Sequence, residues 1–270
     1  MKLIKPSVEI IPQINTYHGM LEHIEKAARV CYKSEDKIEY DEHGRSRTAE
    51  KFVDKILNTY KHQSVAEHGT IYLSGKKPFI NTILPIVLSP YTKEVYYNGA
   101  AYVTTNYRVL LDAMKDSKIF DIDEKLIYML MRDPSEHHIK RTTVKFICSR
   151  ACAQQLTRHR SASFSMVSQR YCNYSKDKFG NEITYIYTGE GIHPIQAELY
   201  KHAEHAYLEM IEKGYKPQQA RMVLPNATMT ELIMTAYDTD WKNIFDLRCS
   251  SHADDEIRLL CTELKEKMNL

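Results

Sequence analysis

Apolar residues recur at helical spacing in several separate stretches of this chain. Leu21, Ile24, Ala28 and Cys31 mark one face of a helix predicted over 17–32. Phe52, Val53, Ile56, Leu57 and Tyr60 mark a second, starting near Thr48 as N-cap. A longer amphipathic pattern runs over 195–214, with Leu199, Ala203, Tyr207, Met210 and Ile211 predicted inward and Gly214 as its stop. Trp241, Ile244 and Phe245 predict a helix over 241–247, and Ile257, Leu260, Cys261, Leu264 and Met268 form the stripe of a last helix over 254–268. Between these lie strand-like runs at 69–73, 142–147 and 228–237, and Asn98-Gly99 between β-prone residues predicts a hairpin over 96–102. Segments 106–114 and 124–131 read as helical. Ser149 is placed to cap a short helix through Ala151, Ala153 and Leu156, and Pro217 opens a further helical turn.

With 270 residues the chain can bury a full core, and its 27% charged residues match ordinary globular proteins. A net charge of +2 argues against general affinity for nucleic acid or membrane surfaces, so any anion binding is local. The most apolar run, 80–88, is too short to span a bilayer and contains Pro85, and 1–17 carries no signal-peptide core, so a cytoplasmic protein is expected. Six scattered cysteines read as inert thiols. Cys148 and Cys152 sit at i, i+4, but no Cys or His pair of the usual spacing completes a site, so no metal is expected.

One stretch concentrates chemistry. Residues 158–171 hold three Arg, one His, four Ser and a Tyr, with no acidic residue among them. Guanidinium forks and hydroxyls suit phosphate and carboxylate oxygens, although a solvated basic turn is the ordinary reading of such a cluster. Arg158-His159-Arg160, then Ser163, then Ser168-x-Arg170-Tyr171, fills every fixed position of RHRxxSxxxxSxRY. That pattern is the signature of the flavin-dependent thymidylate synthases (ThyX), which this chain resembles.

The resemblance extends beyond the signature and implies roles that residue patterns alone do not give. It implies an α+β fold, an antiparallel sheet packed with long helices, as one domain over 1–270 with an insertion at about 74–140. It implies contacts to FAD from His68, Thr70, Arg158, His159, Arg160 and Asn243. Gln155, Arg158, Ser168, Gln169, Arg170 and Arg221 would hold dUMP, and Arg248 would sit at the pyrimidine edge as the catalytic cation. The implied reaction turns dUMP into dTMP, with 5,10-methylenetetrahydrofolate as carbon donor and FAD, reduced by NADPH, as hydride source. A homotetramer with sites between subunits is implied as well. Taken alone, each of these residues has a plainer account. His68 follows Glu67 at a turn, Arg221 lies beside an apolar ridge, and Arg248 suits the C-terminal end of a helix dipole.

The chain also departs from the family pattern. Phe164-Ser165-Met166-Val167 stands where an amide or carboxylate is common, and Tyr237-Asp238-Thr239 replaces an Asn-x-Arg seen in some members. Two alternatives therefore stay open: a related flavoenzyme acting on a different pyrimidine nucleotide, and a non-catalytic nucleotide or RNA binder using its 19 tyrosines as stacking surfaces.

Overall fold

The computed structural model describes residues 1–76, 89–116 and 131–270. The apolar run at 80–88 and nearly all of the helix predicted over 124–131 lie outside the described residues.

The architecture is α+β. Its centre is an antiparallel sheet of four strands in the order β2 (Ser7–Ile11), β6 (Arg141–Ser149), β9 (Met229–Tyr237), β7 (Ser163–Met166). β9 alternates in sequence like a half-exposed strand, yet every residue from Thr230 to Tyr237 is buried. The reason is that both faces are covered. Val144, Phe146, Leu232 and Met234 pack on one side with Trp241 and Phe245 of α7 (Asp238–Arg248) and Leu260 of α8 (Asp255–Met268). On the other side Ile233 meets Ala27 and Val30 of α1 (Tyr17–Val30). Trp241 is fully buried and donates its indole N–H to Thr142 O at 3.1 Å, so its one polar atom is satisfied inside the core.

A second antiparallel sheet has the order β3 (Thr70–Lys76), β5 (Ala100–Asn106), β4 (Lys93–Tyr97). The predicted hairpin forms here, with Asn98 and Gly99 both at positive φ (46° and 76°), as its two-residue turn requires. This sheet shares a core with α1, α2 (Ala49–Asp54) and α3 (Tyr107–Asp116). β1 (Lys2–Ile4) pairs in parallel with β8 (Thr184–Ile186). A tyrosine-rich core holds this pair against α5 (Pro194–Glu212), with the Tyr185 and Tyr200 rings stacked at 4.4 Å. α4 (Arg150–Leu156) follows β6, and α6 (Pro217–Ala220) leads into a tight turn over Arg221–Val223.

Several local expectations are met. Ser149 caps α4 by accepting from Cys152 N at 3.0 Å. The predicted inward stripes of α7 and α8 are buried, with Met268 only partly so. Two details differ. Thr48 does not cap α2; Ser46 Oγ accepts from Ala49 N at 3.1 Å because Glu25, buried on α1, fixes the hydroxyls of Ser46 and Thr48. On α5, Leu199 is exposed and the buried residues are Tyr200 and Tyr207. One helical position decides this, because the tyrosine-rich cluster takes the large rings rather than the aliphatic stripe.

Candidate functional site

α4 and α7 both end at the basic turn. Ser149 starts α4, and the helix breaks after Leu156, so Arg158-His159-Arg160 emerge as a turn before β7. α7 is anchored by Trp241, Ile244 and Phe245, which carries Arg248 at its last position to the same place. Arg248 donates from Nε to His159 Nε2 at 3.0 Å and from a terminal nitrogen to Gln155 O at 3.1 Å. Three residues 93 positions apart at the extremes are thus in direct contact. His159 accepts through Nε2 and so is neutral in this pairing. Burial, and after it the Arg248 charge, holds its pKa below the ordinary histidine value. Arg158 and Arg160 flank this group on the surface.

A second group lies at the start of α4. Arg150 is half-buried and Arg221 lies close enough to disfavour its charge, although burial is the larger cause of its lowered pKa. Tyr174 is nearby, and buried Gln169 donates weakly to its hydroxyl at 3.5 Å. Arg170 is exposed, its guanidinium 5.3 Å from the centroid of Tyr171. Among the described residues, no carboxylate forms an ion pair with Arg150, Arg158, Arg160, Arg170 or Arg221. Arg150 and Gln155 are five residues apart on one helix, roughly 7.5 Å along its axis. The two groups therefore lie at opposite ends of α4, each with surplus positive charge.

Beside the turn is a cavity of about 200 Å³ walled by Tyr32, His62, Phe164, Met166, Ser168 and Tyr171, among others. Ser168 N donates to Cys31 O at 3.0 Å, which brings Tyr32 to the motif, and the Tyr32 and Tyr171 rings lie 5.5 Å apart. Met166, one of the departures from the family pattern, faces this cavity, while Val167 is buried in the core beneath. The other departure has a structural role. Tyr237 directs its hydroxyl at Tyr91 O (2.8 Å) and Thr104 O (2.7 Å), and Asp238 accepts from Thr142 Oγ1 at 2.6 Å.

The residues expected to contact a flavin are spread more widely. His68 has no exposed surface; its Nδ1 pairs with Thr235 Oγ1 at 2.8 Å and its Nε2 with Ser165 Oγ at 3.0 Å. Thr235 continues to Thr143 at 2.7 Å and that hydroxyl to His23 at 2.8 Å, a buried polar chain across the sheet. Thr70 is buried and accepts from Arg141 at 3.2 Å, lining a separate cavity of about 210 Å³. Asn243 is on the exposed face of α7. Within one chain, then, Gln155, His159 and Arg248 touch, Gln169 and Arg221 share the far end, and His68 meets the basic stretch at Ser165 and the Phe164 backbone.

Sequence reasoning passed over Arg150, Tyr32 and His62. For Arg150 a signal existed: a cation at the first position of a helix opposes the dipole, which is a poor place for one without another use. For Tyr32 and His62 none did, because only the fold brings them to a motif about a hundred residues away.

The sequence matches the Thy1 family, described as thymidylate synthase complementing protein, over residues 14–77 and 92–269. The chain belongs to this family. It is 35% identical over 117 residues to a flavin-dependent thymidylate synthase of Geobacter sulfurreducens, covering 43% of this chain and 50% of that one. To the flavin-dependent thymidylate synthase of Pyrobaculum aerophilum it is 40% identical over 119 residues, covering 43% and 45%. The chain thus spans about half the length of the curated relatives it matches. Among solved structures, a UMP/dUMP methylase PolB from Streptomyces cacaoi bound with 5-Br dUMP is similar over 99% of this chain and 92% of that one, at 16% identity and a TM-score of 0.47.

Proposed function

We propose that this chain is a flavin-dependent thymidylate synthase, converting dUMP to dTMP with 5,10-methylenetetrahydrofolate as carbon donor. The observation that carries the reading is the meeting of Arg248 with His159 and Gln155 at the Arg-His-Arg turn. FAD, reduced by NADPH, would supply the hydride. The uncompensated guanidiniums suit such an anionic cofactor, and Arg158, His159 and Arg160 are the residues that would hold it, with Asn243 on the neighbouring helix face. His68 and Thr70 would reach it only through their hydrogen-bonded neighbours, since both are buried.

The chain's own residues then have distinct tasks. Arg170 and Arg221, with Ser168 and Gln169, would bind the nucleotide's phosphate and sugar, leaving the base toward Gln155 and Arg248. Two bonds fix the Arg248 side chain, so it enters the reaction already oriented. Its remaining guanidinium hydrogens would stabilise negative charge on the pyrimidine as a ring proton leaves, which makes the ring carbon nucleophilic without a covalent adduct to the protein. No cysteine is needed for this. Burial pushes the thiols of Cys31 and Cys172 up, away from the nucleophilic thiolate form.

Assembly as a homotetramer is part of the proposal. Met222 is 78% exposed beside Arg221, and Ile195, Leu199 and Leu247 are each more than half exposed, an apolar distribution suited to subunit contacts. One observation favours a second reading within the same class: Met166 gives the cavity beside the turn an apolar wall, which would suit a different pyrimidine nucleotide.

The test is an anaerobic reaction of the protein with FAD, NADPH, 5,10-methylenetetrahydrofolate and either dUMP or UMP, following the flavin spectrum and the nucleotide product together. Flavin reoxidation with dTMP formation is expected. Methylation of UMP alone would select the second reading, and failure to bind flavin would overturn both.

A further inference from the structure

Away from the basic turn, three potential metal ligands converge where the end of β6, the first turn of α4 and the first turn of α8 meet. Cys148 Sγ, Cys152 Sγ and a carboxylate oxygen of Glu256 all lie within 4.8 Å of one another. Spacing in the sequence offered only the two cysteines; the fold adds a carboxylate from more than a hundred residues further on. Both cysteines are essentially inaccessible, whereas Glu256 and its neighbour Ser149 form part of the wall of a cavity of about 370 Å³. The cluster thus meets that cavity at Glu256 alone, with the two sulfurs behind it.

We propose that Cys148, Cys152 and Glu256 form a binding site for a thiophilic divalent cation, of which Zn²⁺ is the natural occupant. The donor set argues for this class of ion. Two sulfurs and one carboxylate oxygen suit a borderline-soft metal in tetrahedral coordination, and a hard ion such as Mg²⁺ would not select thiols. Sulfur–sulfur and sulfur–oxygen separations around tetrahedral zinc are about 3.5–4 Å, so closing the cluster needs the ligand atoms to approach by at most about 1.3 Å. The carboxylate is already oriented. Ser149 N donates to one oxygen of Glu256 at 2.7 Å and Ser149 Oγ to the other at 2.5 Å, an outer layer of hydrogen bonds of the kind that positions metal ligands. Each carboxylate oxygen keeps a second lone pair, so these bonds and a metal bond are compatible.

Cys148, burial, Glu256 and Cys261 all disfavour a thiolate at Cys152. Binding one divalent ion exchanges two S–H protons for two metal–sulfur bonds, and the protons leave to solvent. No oxidant takes part. The site would fasten the last helix, which covers the central sheet, to the strand and helix that deliver the basic turn.

The test is titration of the reduced, full-length protein with Co²⁺ as a spectroscopic stand-in for Zn²⁺, together with the zinc content of the protein as purified. About one equivalent per chain should give the thiolate-to-cobalt charge-transfer band of a two-sulfur tetrahedral site, and added Zn²⁺ should displace it. The band should vanish in Cys148→Ala and persist in Cys31→Ala. Ser149→Ala should weaken binding by about 10- to 100-fold. A wild-type protein that shows no such band and retains no zinc overturns the proposal, as does a band that survives loss of both Cys148 and Cys152. The wild-type titration decides the matter even if the cysteine variants fail to fold.

Discussion

Arg248 is held by two bonds of different kinds, and each sets a different property. The bond to Gln155 O is insensitive to pH, whereas the bond to His159 exists only while that imidazole is neutral. The His159 pKa lies below its ordinary value, so the bond is intact above that value and is lost as pH falls through the depressed one. Activity under the proposed reading should therefore show an acid limb below pH ~6.5, and His159→Gln, which keeps an acceptor but cannot titrate, should flatten that limb. Arg248→Lys retains the charge but not the planar fork. Turnover should fall on the order of a hundredfold, and a variant with normal turnover would remove Arg248 from the chemistry. Most of these residues could be read from the chain because the signature keeps Arg158, His159, Ser168 and Arg170 within thirteen positions. What could not be read is how they partition. Gln155 and Arg248 share one end and Gln169 and Arg221 the other, and only the path of α4 between them decides that.

At the level of elements, α4 matters more than its seven residues suggest. Its first turn meets the last helix through Ser149 and Glu256, and its last turn carries Gln155 toward the basic turn. Ser149→Ala removes the cap and one of the two donors to a carboxylate that burial has already made reluctant to ionise. A loss of about 1 kcal/mol or somewhat more is expected, read as a fall in Tm of about 2–4 °C. Helix faces were legible where apolar side chains meet a sheet, as in α7 and α8. They were misread where aromatic rings or polar groups take over, and Leu199 and Thr48 show both cases. A stripe in the sequence fixes the phase of a helix only if the neighbour it packs on is known. The hairpin was legible for the opposite reason, since Asn98-Gly99 settles its turn without help from the rest of the chain.

Across the whole molecule, the buried chain of His23, Thr143, Thr235, His68 and Ser165 joins α1, the central sheet and the turn before β3. Burial is the main cause of the lowered pKa of both histidines, to about 4 for His23 and about 3 for His68. Each binds a proton more readily when unfolded. Stability from keeping them neutral is complete above pH ~6.5 and is lost as pH falls toward 4 and then 3. Denaturant melts at pH 7 and pH 4.5 should differ by a few kcal/mol, on the order of 1.4 kcal/mol per unit for each histidine that remains neutral. Replacing His68 with Asn should reduce the difference, and an unchanged difference would show that carboxylates dominate acid unfolding instead. The central sheet has a further consequence, for the time at which the protein comes into being. β2 and β6 pair across more than a hundred residues, and the strand that joins β6 to β7 is β9, the last strand in the chain. During synthesis β2 can pair with β6 early, but β7 and the second edge of β6 have no partner until Met229–Tyr237 clears the ribosome. A cell making this protein has to shelter that waiting edge, and soluble yield should rise with chaperone supply.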